Sequence, residues 1–253
     1  MNSITIGLIT AICTFAGALI GIWLQTWLPR HHLDKDSHEV VKLGAGMIAT
    51  VTALVLGLLV SSAKGTFDTI NEGIKQASAH IIILDRIMAQ YGPETKPIRL
   101  QIKRTVIASL EAGKLRQPGS EPELGTIQST NRAEAIQNLM RTLTPQTESQ
   151  RQLLAQAQQV AGDVSQTRWL LMEEAQNELP TPLLAILICW LTVLFVSFGL
   201  FAPRNGTVIA VLFVCACSMS AAIFLILELN RPLDGVIKAS SAPLRNVLEH
   251  LGR

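Results

Sequence analysis

Four long stretches of this chain contain no charged residue, and they occur as two pairs separated by a charge-rich segment. The first pair is Asn2–Pro29 and Leu43–Ala63, and the second is Leu179–Pro203 and Asn205–Leu227. Each stretch is long enough to cross a bilayer as a helix, which takes about 20 mostly apolar residues. Helices of soluble proteins carry Lys and Glu throughout their length, so these four charge-free stretches predict an integral membrane protein.

We therefore predict an all-α membrane protein whose four transmembrane helices stand in a two-plus-two arrangement around a helical cytoplasmic insert. Only 16% of the residues are charged, against about 25% in an ordinary soluble domain. The predicted divisions are residues 1–63 for the first two spans (about 4–28 and 43–63), 64–178 for the insert, 179–229 for the last two spans, and 230–253 for a cytoplasmic C-terminal tail.

Lysine and arginine positions predict the orientation. The loop between the first two spans carries Arg30, Lys35 and Lys42, and the loop between the last two carries only Arg204. The insert and the C-terminal tail hold all the remaining Lys and Arg residues. This distribution favours a cytoplasmic location for both termini and for the insert.

The insert begins with a heptad pattern that continues the second span. Apolar residues alternate three and four apart, as in an a/d seam, and Tyr91-Gly92-Pro93 then supplies a helix stop. We predict one nearly continuous helix from Leu43 to Tyr91. The seam packs either within one subunit, which we favour, or between subunits; it consists of Phe67, Ile70, Ile74, Ala77, Ile81, Leu84 and Met88.

Three further helices are predicted in the insert from apolar spacing and from Pro and Gly positions. The first runs from Pro97 to about Leu115 and is followed by a loop over Gln117–Gly125. A short helix covers Ala133–Leu143. A long helix begins near Pro145, a residue suited to a first helical position, and extends to Leu179.

The sequence contains no constellation typical of an enzyme, because no nucleophile, base and orienting group occur together. We expect neither catalytic residues nor cofactors. The cysteines (Cys13, Cys189, Cys215 and Cys217) all lie in the apolar windows, where they are interpreted as small packing residues. The net charge of +2 is too small to indicate a nucleic-acid partner.

A cluster of histidines and carboxylates in the first loop has two interpretations. Imidazole and carboxylate groups bind metals or relay protons, but the spacing matches no closed metal site. We favour an exposed polar turn and predict no metal site here. The cluster comprises His31, His32, Asp34, Asp36, His38 and Glu39.

Small and hydroxylic residues recur at helical spacing along the second span: Gly44, Gly46, Thr50, Ala53, Gly57, Ser61 and Gly65. Such a row lets membrane helices approach closely, and Gly17 and Gly21 of the first span are the candidate partner. Alternatively, the row lines a path for water or ions, because it leaves room and supplies hydrogen bonds. No ionisable residue lies mid-membrane, which argues against a proton-coupled transporter.

Several segments together resemble the bacterial bestrophin-like domain family, from about Val40 to the C-terminus. The sequence departs from the family pattern at Leu233, where Phe is expected. The segments are Ala53–Lys64, Leu84–Arg86, Tyr91–Glu94, Trp190–Leu191, Phe198–Arg204, Leu227–Gly235 and Ser240–Arg245.

The resemblance implies distant kinship with bestrophins, which are anion channels built as rings of identical four-span subunits, with the second span lining the pore. It implies a multi-pass protein of the bacterial inner membrane. The second span of this chain contains no Phe, so the aromatic neck of bestrophins has no counterpart here.

Two functional hypotheses follow. In the first, the protein is a homo-oligomeric ion channel in the lipid bilayer that passes inorganic ions. The pore-lining candidates are then Gly46, Thr50, Ala53, Gly57 and Ser61, with Lys64 at the inner mouth. In the second, it is a non-conducting membrane scaffold or sensor that uses its helical insert to bind a partner or a second copy.

Overall fold

The computed structural model describes residues 3–29, 35–115, 127–176, 179–233 and 235–252. Of these residues, 87% are helical and none forms a strand. The helices are α1 (Ser3–Trp27), α2 (Lys35–Tyr91), a short 3-10 turn (Pro93–Thr95), α3 (Lys96–Leu115), α4 (Ile127–Arg141), α5 (Glu148–Gln176), α6 (Thr181–Leu200), α7 (Gly206–Leu229) and α8 (Ala242–His250).

The chain divides into two compact units, which we call the spanning unit and the insert unit. The spanning unit comprises residues 1–65 and 178–230, and the insert unit comprises residues 66–177 and 231–253. Four helices contain a stretch long and apolar enough to cross a membrane, namely α1, α2, α6 and α7. The apolar windows of all four correspond to the charge-free stretches of the sequence.

Helix α1 exposes large apolar residues and buries small ones, the reverse of a helix in a soluble protein. Its bulky residues point outward: Ile4, Leu8 and Ile12 are each about 60% exposed. Its buried residues are small or hydroxylic, namely Ser3, Gly7, Thr10, Thr14, Gly17, Ala18 and Gly21. Lipid tails are as apolar as leucine, so membrane helices associate through close packing of small residues and leave large apolar ones to the lipid.

Helices α1 and α6 approach until their backbones touch. A Cβ atom on Gly21 would clash with the carbonyl oxygen of Val196 and lie 2.8 Å from the amide nitrogen of Leu200. The expectation that this face of α1 packs against α2 was therefore wrong. Periodicity identifies a small face but not its partner, and α6 offers a matching Gly199 whose own Cβ would meet the carbonyl oxygen of Ala18.

The contacts also fix the directions of the helices within the spanning unit. Gly17 lies against Thr192 and Gly21 against Val196, so α1 and α6 run parallel. Helix α7 runs antiparallel to α1, because Gly7 packs on Phe224 whereas Phe15 meets Phe213 edge-on, with ring centroids 5.2 Å apart.

The predicted continuous helix from Leu43 to Tyr91 is confirmed, although α2 already begins at Lys35. No glycine or proline lies between Lys35 and Leu43, and acidic residues near a helix N-terminus are favourable there. His38 and Glu39 are consequently helical rather than part of a turn. The helix ends as predicted: Gly92 takes a φ of 144°, which residues with a side chain rarely adopt.

The insert unit has one hydrophobic core, to which the heptad seam contributes. Leu84 and Met88 of α2 pack with Ile98, Ile102 and Val106 of α3, with Ala157 and Ala161 of α5, and with Val247 and Leu251 beyond the last span. This part of the seam therefore packs within one chain, as we favoured. Residues 231–253 contribute α8, whose Val247 is fully buried.

Two helix starts in the insert unit differ from the prediction. Helix α4 begins at Ile127 rather than Ala133, and α5 begins at Glu148 rather than near Pro145. Thr147 caps the start of α5, because its hydroxyl accepts a hydrogen bond from the Gln150 amide at 3.1 Å. The Gln150 side chain in turn accepts a hydrogen bond from the amide of Gln146, one residue before the cap, at 2.8 Å. The predicted loop over Gln117–Gly125 lies outside the described residues.

A buried ion pair joins α2 to α3. Arg99 donates two hydrogen bonds to Asp85, at 2.7 and 2.8 Å, and the Asp85 side chain is only 2% exposed. Hydrogen bonding to Asp85 raises the pKa of Arg99 above its ordinary value, and burial partly opposes this. The Gly252 amide also donates to Asp85 at 3.4 Å, so this carboxylate of α2 contacts both α3 and the C-terminal residues.

We expect Gly21→Ala to destabilise the spanning unit, because the added methyl group would push α1 away from α6. Overpacking of this kind typically costs about 1–3 kcal/mol. The matched control is Gly44→Ala on α2, where an added Cβ meets no atom within 4 Å. The melting temperature of the detergent-purified chain should fall for Gly21→Ala and stay unchanged or rise for Gly44→Ala. Equal melting temperatures would contradict the contact.

Removal of either partner of the Asp85–Arg99 pair should destabilise the insert unit, by about 3–5 kcal/mol, because the remaining charge is left without its counter-ion. The double variant Asp85→Ala/Arg99→Ala should lose less than the sum of the two single losses. Arg151→Ala is the control, because its pair with Glu148 is about two-thirds exposed and such pairs contribute little. Additive effects in thermal unfolding would show that the pair is not coupled.

Candidate functional site

The row of small and hydroxylic residues on α2 is uncovered in the single chain. Gly46, Thr50, Ala53, Gly57, Ser61 and Lys64 are all exposed. A Cβ atom placed on Gly46 or Gly57 meets nothing within 4 Å. At about 100° per residue, these six positions share one side of the helix, and we call them the small row. Gly44 falls elsewhere on the helix circumference.

A second exposed row lies beside the small row, about a quarter of a turn away. It is formed by Leu43, Met47, Leu54 and Leu58, each between 70% and 74% exposed, and we call it the bulky row. Helix α2 thus presents two contrasting surfaces outward, one nearly without side-chain bulk and one of large apolar groups.

The opposite side of α2 attaches it to the rest of the spanning unit. Leu59 and Ala63 are buried in a cluster with Leu184 and Leu187 of α6 and Ile223 of α7. Only 11% of the apolar window of α2 is buried, against 33% in α1. Of the first two spans, α2 therefore has the larger exposed fraction available to a further partner, to lipid or to water.

Polar and aromatic side chains meet where α1 ends and α2 begins. The His38 ring lies 4.4 Å from the Phe201 ring, and Arg204 donates a hydrogen bond to Gln25 at 3.1 Å. The start of α2, the end of α1 and the α6–α7 connection therefore meet at one end. His31, His32 and Asp34 of the first-loop cluster lie outside the described residues. Within the described part of the chain, no three His, Cys, Asp or Glu side chains lie together as a metal site would need.

The small row has limited but definite chemistry. The Thr50 hydroxyl donates to the Gly46 carbonyl oxygen at 2.9 Å and keeps lone pairs facing outward. Its glycines leave helix backbone accessible, and Lys64 adds a positive charge at its end. Room, hydrogen-bonding oxygens and one charge suit contact with water or hydrated ions, and no group in the row can act as a nucleophile with a base.

Polar groups outside the small row include several with hydrogen-bond partners inside the protein. Glu174, one of the paired carboxylates of α5, accepts a hydrogen bond from Thr66 at 2.9 Å. The four cysteines form no disulfide, and Cys189, Cys215 and Cys217 are exposed on the spanning helices. The buried hydroxyl of Thr52 lacks a hydrogen-bond partner among the described atoms. This residue belongs to the attached side of α2, away from the small row.

Sequence reasoning missed the bulky row as a separate surface. The apolar residues Leu54, Val55, Leu58 and Leu59 follow one another closely in the sequence but do not share one face of the span. The structure separates them: Leu54 and Leu58 are exposed, whereas Leu59 is buried and Val55 packs against the same core. A plot of these residues around the helix axis would have shown the division, since Leu54 and Leu59 lie on opposite sides.

Comparison with known protein families matches residues 12–244 to the Bestrophin-like domain. Searches of curated proteins and of solved structures find no match. The family match covers most of the chain, including all of α2, both final spanning helices and the segment leading into α8. This extent agrees with the four membrane-capable helices, and the chain therefore belongs to the bestrophin-like domain family.

Proposed function

We propose that this protein is a homo-oligomeric ion channel of the bacterial inner membrane, rather than an enzyme, with α2 of each subunit lining the pore. The single observation that carries the proposal is the uncovered small row of α2. A helix with glycines and hydroxyls facing outward gains little from contact with lipid, but the same surface can border a hydrated path.

A ring of subunits accounts for both exposed rows of α2. With Gly46, Thr50, Ala53, Gly57 and Ser61 toward a central axis, the bulky row lies a quarter of a turn away, against the adjacent subunit. One α2 helix cannot enclose a pore, so conduction requires several copies. Ring assembly would also cover the helix that a single chain leaves least buried.

The helix directions support the two-plus-two arrangement. Parallel packing of α1 on α6, with antiparallel α7, puts the α1–α2 and α6–α7 connections at one end of the spanning unit. Ala63 of α2 and Leu184 of α6, which are buried in one cluster, then lie at the other end. The distribution of Lys and Arg favours the cytoplasm for that end, and hence for the insert and both termini.

The scaffold or sensor alternative receives less support. It would pack the small row of α2 against Gly17 and Gly21, but those glycines contact α6. It would also offer the heptad seam to a partner, yet Leu84 and Met88 lie in the core of the insert unit. These contacts leave the seam little surface for an outside helix.

Gly57→Leu should reduce the unitary current severalfold, because each subunit would add one leucine side chain to the narrow surface of the pore. The measurement is conductance of the purified oligomer in planar bilayers. Gly44→Leu is the matched control: it makes the same change in the same helix but away from the small row, and it should leave the current unchanged. Well-folded oligomers that pass no current under any ionic gradient would disprove the proposal.

Lys64→Glu should shift ion preference toward cations, because it replaces a ring of positive charges at the inner mouth by a ring of negative ones. Lys64→Gln should give an intermediate preference. Reversal potentials measured across a salt gradient report the change. Raised ionic strength should weaken it, because salt screens exposed charges. A reversal potential identical in all three proteins would remove Lys64 from the conduction path.

A further inference from the structure

The insert unit contains a cavity of about 450 Å³. Helices α2, α3, α4 and α5 form most of its wall, and residues 232–233, 238–241 and 244–245 complete it. Ligand pockets in proteins typically have about 300–1,000 Å³, so the cavity has room for one small ligand. Most of these C-terminal lining residues belong to Leu227–Gly235 and Ser240–Arg245, two of the segments that carry the family resemblance. The proposed channel function does not use these segments.

Most of the cavity surface is apolar. Ile74, Ala77 and Ile81 of the heptad seam line it from α2, opposite Ile102 and Val106 of α3. The middle of the heptad seam thus faces the cavity. Leu84, the next residue of the seam, lines the cavity and also packs in the hydrophobic core.

The hydroxyl and amide groups on the helical walls already have partners. Thr105 donates to the Gln101 carbonyl at 2.9 Å and Ser109 to the Thr105 carbonyl at 3.0 Å. Gln137 donates to the Ser165 hydroxyl at 3.1 Å. Because these groups are satisfied within the protein, this part of the cavity suits a hydrocarbon rather than a polar ligand.

The charged side chains that line the cavity itself are cationic. Arg168, Lys238 and Arg245 line it, and none of its described lining residues is Asp or Glu. Arg168 is half-buried and donates to the Thr130 hydroxyl at 2.6 Å, which holds it in place. Burial lowers the pKa of Arg168, and the negative charge of the nearby Glu134 on α4 partly opposes this. Lys238 and Arg245 are exposed and therefore belong to the rim. Arg245 lies in the first turn of α8, so its charge adds to the favourable field of a helix N-terminus for anions.

We propose that this cavity binds an amphipathic anion with a single hydrocarbon tail and one carboxylate or phosphate headgroup. The tail lies among the apolar seam and α3 residues, and the headgroup meets Lys238, Arg245 and Arg168. An apolar interior with Lys238 and Arg245 at its rim complements this class of molecule and disfavours neutral or cationic amphiphiles. The proposal is independent of conduction and holds whether or not the oligomer passes ions.

The test is calorimetric titration of the full-length protein in zwitterionic nanodiscs, with empty nanodiscs as the baseline. Decanoate should bind saturably, and decyltrimethylammonium and decanol should not. Decyl phosphate in a parallel titration identifies which anionic headgroup is preferred. Octanoate should bind about 15-fold more weakly than decanoate if both missing methylenes are buried, at roughly fourfold each.

Two sets of variants locate the site. Lys238→Gln/Arg245→Gln should weaken decanoate binding at least about tenfold, the effect of a loss of roughly 1.4 kcal/mol. Lys103→Gln/Arg104→Gln removes the same two residue types from exposed positions of α3 outside the cavity and should leave the affinity unchanged. Ala77→Leu should weaken binding by filling the cavity. Should Ala77→Leu fail to fold, the charge variants still decide.

The proposal is overturned if neither decanoate nor decyl phosphate binds above the empty-nanodisc baseline. It is also overturned if the anionic, cationic and neutral amphiphiles bind alike, since that result describes partition into lipid. Equal weakening by the cavity-rim and control charge variants would show a non-specific electrostatic effect and would likewise overturn it.

Discussion

The close contact between α1 and α6 determines how the other spanning helices are used. Within a bilayer, little hydrophobic force drives helices together, so association depends on surfaces that allow backbones to touch. Gly17, Gly21 and Gly199 supply such a surface, and α7 adds a hydrogen bond of 2.6 Å from Ser220 to the Gly7 carbonyl. The small face of α1 packs on α6 and α7, whereas the small row of α2, from Gly46 to Ser61, remains exposed among the described residues.

The chain follows opposite packing rules in its two units. Small residues are buried and large ones exposed on α1, as suits a lipid solvent, whereas the insert unit buries Ile, Leu, Met and Val and fixes one ion pair inside. Helix α2 takes part in both units: near Gly57 its outward surface lacks side-chain bulk, and near Leu84 its apolar side chains are buried. The change coincides with the point at which charged residues reappear, at Lys64.

The features that depend on one helix alone were predictable from the sequence. The four apolar windows and the continuity of α2 through its heptad seam follow from local pattern, and so does the helix stop at Gly92. The small row was visible for the same reason. Its exposure was not, since that depends on whether Gly17 and Gly21 pack on α2 or on α6, and both helices offer small residues. The pairing of Asp85 with Arg99 and the cavity wall near Lys238 likewise bring together residues whose separation no periodicity encodes.

Helices α6 and α7, on which α1 packs, are synthesised long after α1, and this delay affects how the chain assembles. Val196 follows Gly21 only after α2 and the whole insert have been synthesised. At about 5–20 residues per second, this interval lasts roughly 10–40 s. During that time α1 resides in the membrane with its glycine face toward lipid or the insertion machinery, and α2 has no docking surface. The spanning unit is complete only when α6 and α7 have been synthesised, so a chain truncated before Thr181 lacks the helices that α1 and α2 pack against.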